Sequence, residues 1–146
     1  MPKESKIKVL LIEPSKHPRI VEIENTLEAK QKLVQGSIEA VYPYDDPVAL
    51  VCNEEGKFNG MPFNRVLRDE NNSIYDFVHG QFFLCGISES NFTSISDDLA
   101  KKYSQVFYHP EAIIETGKGK MLVRVTALQN DAPSKNPKNK DTDIER

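Results

Sequence analysis

Tryptophan is missing from this chain, and cysteine, histidine and methionine are scarce: two, three and three among 146 residues. Two cysteines build neither a disulfide framework nor a thiolate metal site. Cys52 and Cys85 each lie in an apolar, strand-like run, VALVCN and FFLCGI, with no CxxC partner. They are expected to act as small buried hydrophobes. His17, His79 and His109 are scattered, with no HExxH and no pair at i, i+4, so a zinc site is not expected. No apolar run approaches the ~18 residues a membrane span needs. The first apolar run, Val9 to Ile12, stops at Glu13-Pro14 and is too short for the core of a signal peptide. The expectation is a cytoplasmic protein with no membrane partner.

Neither sign of charge dominates: 19 basic residues stand against 22 acidic ones, a net charge of -3. That balance argues against general nucleic-acid binding, which calls for a basic patch. It equally argues against a DNA mimic, which needs a far larger acid excess to match phosphate charge density. Phosphate-cradling and nucleophile motifs are absent too. Gly56-Lys57 and Gly117-Lys118-Gly119-Lys120 lack the GxxxxGK[ST] spacing, and no GxSxG elbow occurs. No cofactor is expected.

What remains is enough for one domain, residues 1–128, followed by a tail. A chain of this length buries roughly 68% of its unfolded surface and needs no staple to fold. Lys6 to Glu13 reads as a strand, Pro14 to Pro18 as a turn, and Arg19 to Glu24 as the returning strand. Asn25 is placed to cap a helix with Glu28 three residues on, and Gly36 to end it. Strands are expected at Ser37 to Tyr42, Val48 to Cys52, Ile74 to His79 and Gln81 to Ile87. The run VALVC is apolar throughout, the pattern of a strand covered on both faces. Asn64 to Arg68 reads as a short strand or a single helical turn. Ser96 caps a second helix with Asp97 and Asp98 in its first turn and Leu99, Tyr103 and Val106 along one face. Residues 111–128 look like a C-terminal hairpin. The polar stretch 129–146 carries no aromatic residue and is expected to be disordered. Short turns favour antiparallel pairing. The fold class is therefore α+β: a single, mostly antiparallel twisted sheet with two helices packed on one face.

The segment IEAVYPYDDPVALVCNEEGKFNGMPFNR, Ile38 to Arg65, resembles an uncharacterised family of small domains. The opening IKVLLIEP and IENTLEA, and FVHGQFFLCGI from Phe77 to Ile87, resemble it as well. The likeness spans about residues 6–110. That family is a domain of unknown function found in Gram-positive gut bacteria, their phages and their conjugative elements. The resemblance implies a setting, an accessory protein of a phage or mobile element, and no catalytic residue.

The chemically densest stretch is Tyr42 to Arg65, where two turns flank one buried-looking strand. Loops held by a rigid strand are where binding groups are displayed. Asn offers donors and acceptors, Arg a planar fork, and Tyr a flat face with a hydroxyl. The candidate ligand- or partner-binding residues are Tyr42, Tyr44, Asp45, Asp46, Asn53, Asn59, Asn64 and Arg65. The competing explanation is that the Asp and Asn residues simply make turns. Adjacent carboxylates on a turn point apart, and the EF-hand spacing is absent, so no metal is expected there. The leading expectation is a non-catalytic protein that binds a host protein or a small, polar, nucleotide-like ligand. Two alternatives stay open: a small enzyme using carboxylates and Asn/Arg of the same segment, and a structural protein that self-associates through a sheet edge.

Overall fold

The protein is described from a computed structural model, covering residues 5–89 and 91–128. The expected disordered tail, 129–146, lies outside the described residues.

The central sheet is built from β1 (Lys6–Ile12), β2 (Arg19–Glu24), β3 (Ile38–Val41), β4 (Val48–Asn53) and β7 (Phe82–Ser88), with the short β8 (Asn91–Thr93). Its order is β2-β1-β7-β4-β3, with β8 paired to β7, and every neighbour is antiparallel. Helix α1 (Leu27–Val34) connects β2 to β3, and α2 (Asp97–Val106) follows β8. β5 (Phe63–Arg68) pairs with β6 (Ile74–His79), and β9 (Glu111–Thr116) with β10 (Gly119–Arg124).

The α+β class and the antiparallel pairing follow from the turn-rich sequence. Two parts of the expectation change. The first is the placement of the helices, which cover opposite faces of the sheet rather than one. Strand β1 alternates strictly: Ile7, Val9 and Leu11 point to a core with Val34 of α1, while Leu10 and Ile12 point to a core with Tyr103 and Phe107 at α2. Val48 to Val51 are all fully buried. Central strands that are apolar on both faces leave neither face free to meet water, so each needs its own cover.

The second change is that the sheet is not single. β5–β6 and β9–β10 are separate two-stranded ribbons. β5 carries irregular register at both ends, between Phe63 and Arg65 and between Leu67 and Arg68. It lies over the α2 face, where Leu67 and Val78 join that core. A two-stranded ribbon is marginal alone and gains its stability from such packing.

Local signals shift by a residue or so. Thr26, not Asn25, caps α1, accepting a hydrogen bond from the Ala29 N–H at 3.1 Å. Asn25 is buried instead, where it donates to the Phe92 carbonyl and accepts from Lys30. The left-handed residue that ends α1 is Gln35, at φ 67°. Gly36 is required one position later for a different reason: a Cβ there would fall 2.6 Å from Asn53 Nδ2. Ser96 caps α2 as expected, accepting from the Leu99 N–H. On that helix Tyr103 is buried and Leu99 half-buried, but Val106 is exposed, and Phe107 fills the place expected of it.

Candidate functional site

The eight candidate residues separate into three groups. Asn53, Asn64 and Arg65 are buried and spend their polar groups on the fold. Asn53 donates to the Val34 and Gln35 carbonyls at the end of α1 and accepts from the Glu55 N–H. Asn64 donates to the carbonyls of Ile12 and Gly80, both at 2.9 Å. Arg65 donates from Nε and Nη2 to the Phe107 carbonyl at 3.1 and 2.9 Å, from Nη2 to the Lys16 carbonyl at 2.7 Å, and from Nη1 to Asn64 Oδ1 at 2.8 Å. It faces no carboxylate at ion-pair distance among the described residues. Burial pushes its guanidinium down to about 10, with Glu111 opposing from further away. Tyr42 and Asn59 form the second group, both exposed.

The third group, Tyr44, Asp45 and Asp46, comes from the Pro43-to-Pro47 turn between β3 and β4 and lines a wide cleft of about 870 Å³. Its second wall is α2, through Lys102, Tyr103 and Val106; its third is the β5–β6 ribbon with its turn, Arg68 to Asn72 and Tyr75; Glu111 and Arg124 close the base of β9–β10. Asp69 shapes the ribbon turn, accepting from the N–H groups of Asn71 and Ser73, the local Asx bonding that such turns use. Five carboxylates, Asp45, Asp46, Asp69, Glu70 and Glu111, face three basic side chains, Arg68, Lys102 and Arg124.

At the centre Asp46 Oδ2 accepts from Lys102 Nζ and from the Tyr103 hydroxyl, both at 2.6 Å. Tyr103 is 2% exposed, and a buried phenol needs such a partner. Tyr44 lies against it with ring centres 4.6 Å apart. The Lys102 and Tyr103 hydrogen bonds hold the Asp46 carboxyl below its ordinary value of 3.8. Burial raises the Tyr44 hydroxyl, with Tyr75 adding to the rise. Burial likewise raises Tyr103, and its bond to Asp46 raises it further. Tyr75 is raised by burial, then by Asp76 and Asp69. All three phenols therefore stay neutral donors beside an ionised carboxylate at neutral pH.

The sign of the Asp46 shift gives an expected result. A carboxyl whose folded value is depressed contributes stability above its unfolded value and loses it as pH falls through the folded one. In denaturant titrations, wild type should exceed Asp46→Asn in stability above about pH 5, and the gap should close as pH drops below the ordinary carboxylate range. A gap independent of pH would show that the ionised carboxylate is not what Lys102 and Tyr103 hold.

A second, smaller hollow of about 330 Å³ lies between β4 and the β5–β6 ribbon, lined in part by Cys52, Asn53, Phe58 and Phe77. Phe58 is 89% exposed at its rim, and Lys57 donates to Asp76 across it at 2.6 Å. Burial pushes the Cys52 thiol up to about 11 and the Cys85 thiol up to about 12, so neither is a ready nucleophile.

Sequence reasoning missed Arg68, Tyr75, Lys102 and Tyr103. They lie far along the chain from the Tyr44–Asp46 turn, and only tertiary packing gathers them. One signal was available: a tyrosine on the buried stripe of an amphipathic helix demands a partner for its hydroxyl.

This arrangement defines a small α+β domain, a central antiparallel sheet covered on both faces and joined by two ribbons, with a polar, aromatic cleft beside α2. A model of the family described as Domain of unknown function (DUF3846) matches residues 7–108, and the chain belongs to that family. β9 and β10 lie beyond the matched part. No curated protein and no solved structure matches this chain. No helix among the described residues is long and apolar enough to cross a membrane.

Proposed function

We propose that this protein is a non-catalytic binding module that holds a segment of a partner protein, or a small polar ligand, in the cleft between α2 and the β5–β6 turn. The observation that carries the reading is the cleft itself. Its volume of about 870 Å³ is within the range of ligand sites, roughly 300–1,000 Å³. Its walls come from four separate segments, and convergent polar groups on rigid elements are what orient a ligand. Of the two expected ligand classes, the excess of carboxylates favours a protein segment over a nucleotide-like molecule, whose phosphates they would repel. The setting we propose is the cytoplasm of a bacterial host, on a phage or conjugative element, where the protein modulates a host or defence process. What supports that setting is the resemblance of the Ile38–Arg65 and Phe77–Ile87 segments to such families.

The test is amide-resolved NMR with a panel of peptides and nucleotides, read alongside mass spectrometry of each probe. Shifts should gather at Tyr44, Asp46, Tyr75 and Lys102, and the probe should return unaltered. Tyr75→Ala, at a half-exposed position, should weaken binding about tenfold, a loss within the range for an aromatic contact residue, with the melting temperature held. Shifts gathered elsewhere would refute the site, and a chemically altered probe would favour the carboxylate enzyme.

A further inference from the structure

We propose that the ligand enters this cleft with a compact organic cation, a guanidinium or ammonium group, which takes the place of Lys102 on Asp46. The inference rests on the cleft being the binding site and adds the class of group it receives.

The structure already holds a cation in that seat. Lys102 Nζ lies 2.6 Å from Asp46 Oδ2 and 5.3 Å from the centre of the Tyr103 ring. A carboxylate backed by aromatic faces is what an organic cation seeks, the charge meeting the carboxylate and the ring quadrupole together. Lys102 is held there weakly. Its side chain is 57% exposed, and ion pairs of exposed side chains contribute little because water and salt screen them. A ligand cation can therefore displace it at small cost. Two further features extend the seat outward. Tyr44 continues the aromatic surface from Tyr103, and Tyr75, 51% exposed, offers an open ring on the opposite wall. Asp45 and Glu70 are exposed carboxylates with no ion pair among the described residues. A planar guanidinium suits such a place well, since it stacks on a ring while donating at its edge. The surplus of carboxylates in the lining makes a phosphate or carboxylate ligand unfavourable in the same position.

The source of the cation, a side chain of a partner protein or a free polyamine, is distinguished by the probes. Titrations at low ionic strength would use a blocked tetra-arginine peptide, spermidine and ATP, read by amide shifts at Tyr44, Tyr75 and Lys102. ATP should not bind; the tetra-arginine peptide should bind more tightly than spermidine if the cation comes from a partner protein's side chain, and spermidine more tightly if it is a free polyamine. Lys102→Ala should tighten the cationic probe about two- to fivefold, the scale of one exposed ion pair removed as competitor. Asp46→Asn should weaken it by a similar factor or more. Lys101→Ala removes the same charge from the same exposed helix surface but outside the cleft, and should leave affinity unchanged. Equal tightening by Lys101→Ala, or no loss with Asp46→Asn, would overturn the displacement. Binding of ATP at the same tyrosines would overturn the cation while leaving the cleft as the binding site. No shift with any of the three probes would count against both.

Discussion

Replacing Arg65 with methionine is expected to lower the unfolding free energy by about 3–5 kcal/mol, although the new side chain has similar length. The Arg65 side chain is 1% exposed and ties three separate places together: the end of α2 at Phe107, the β1–β2 turn at Lys16, and Asn64 beside it on β5. A cation at the end of a helix also complements the negative end of its dipole. Methionine would fill the volume but donate nothing. Each buried carbonyl left without a donor costs about 1–3 kcal/mol, and relief from burying a charge offsets only part of that. For a domain of this size the melting temperature should fall by roughly 10 °C or more. Arg65→Lys should recover less than half of the loss, because an ammonium cannot reproduce the fork. The measurement is the denaturant midpoint at constant slope. A change below about 1 kcal/mol would mean that water replaces the guanidinium at these carbonyls.

The second large effect is expected at Gly86 in β7. This residue pairs with Val48 of β4 on one side and Thr93 of β8 on the other. The chain leaving β8 crosses so closely that a Cβ at Gly86 would lie 2.5 Å from the Ser94 carbonyl oxygen and 3.0 Å from a Thr93 methyl. The obstacle is backbone, itself held by the Ile95 N–H bond to the Lys8 carbonyl, so it cannot swing aside as a side chain would. Gly86→Val should cost about 3 kcal/mol or more, at or above the upper end of overpacking in a filled core. Its amide shifts should spread through β7, β8 and the start of α2. Gly117→Ala is the matched control. Nothing lies within 4 Å of its Cβ position and its φ is not positive, so a change within about 0.5 kcal/mol is expected. Equal tolerance at both positions would mean that β8 is not packed as described.

Most strands were legible because each carries its own local punctuation. Pro14, the Pro43–Pro47 turn and the Asp69–Ser73 turn end or begin strands wherever they fall. The unbroken apolar run Val48 to Val51 announced a strand covered on both faces. It also held the correction to the helix placement, since two covered faces need two covers. β8 was not legible: three residues, Asn91 to Thr93, carry too little pattern to separate from a loop. The candidate site was readable only where it is continuous in sequence. Tyr44, Asp45 and Asp46 share one turn, whereas Lys102 and Tyr103 reach them from more than fifty residues away. Arg65 and Asn64 misled for a physical reason. Polar residue types are mostly exposed, and nothing local marks the pair that is buried to bond carbonyls. The alternation of β5 was not a guide either, because Asn64 to Leu67 are all buried.

The partition of the apolar interior by the central sheet has a practical outcome. Residues of the α1 compartment, such as Val34 on the helix and Phe83 beneath it, share no layer with Tyr103 or Leu67. A substitution in one compartment is thereby expected to leave the packing of the other undisturbed. For the experimenter, exposed Glu28 on that side is the natural anchor for a fluorophore or a surface tether that leaves the opposite mouth open.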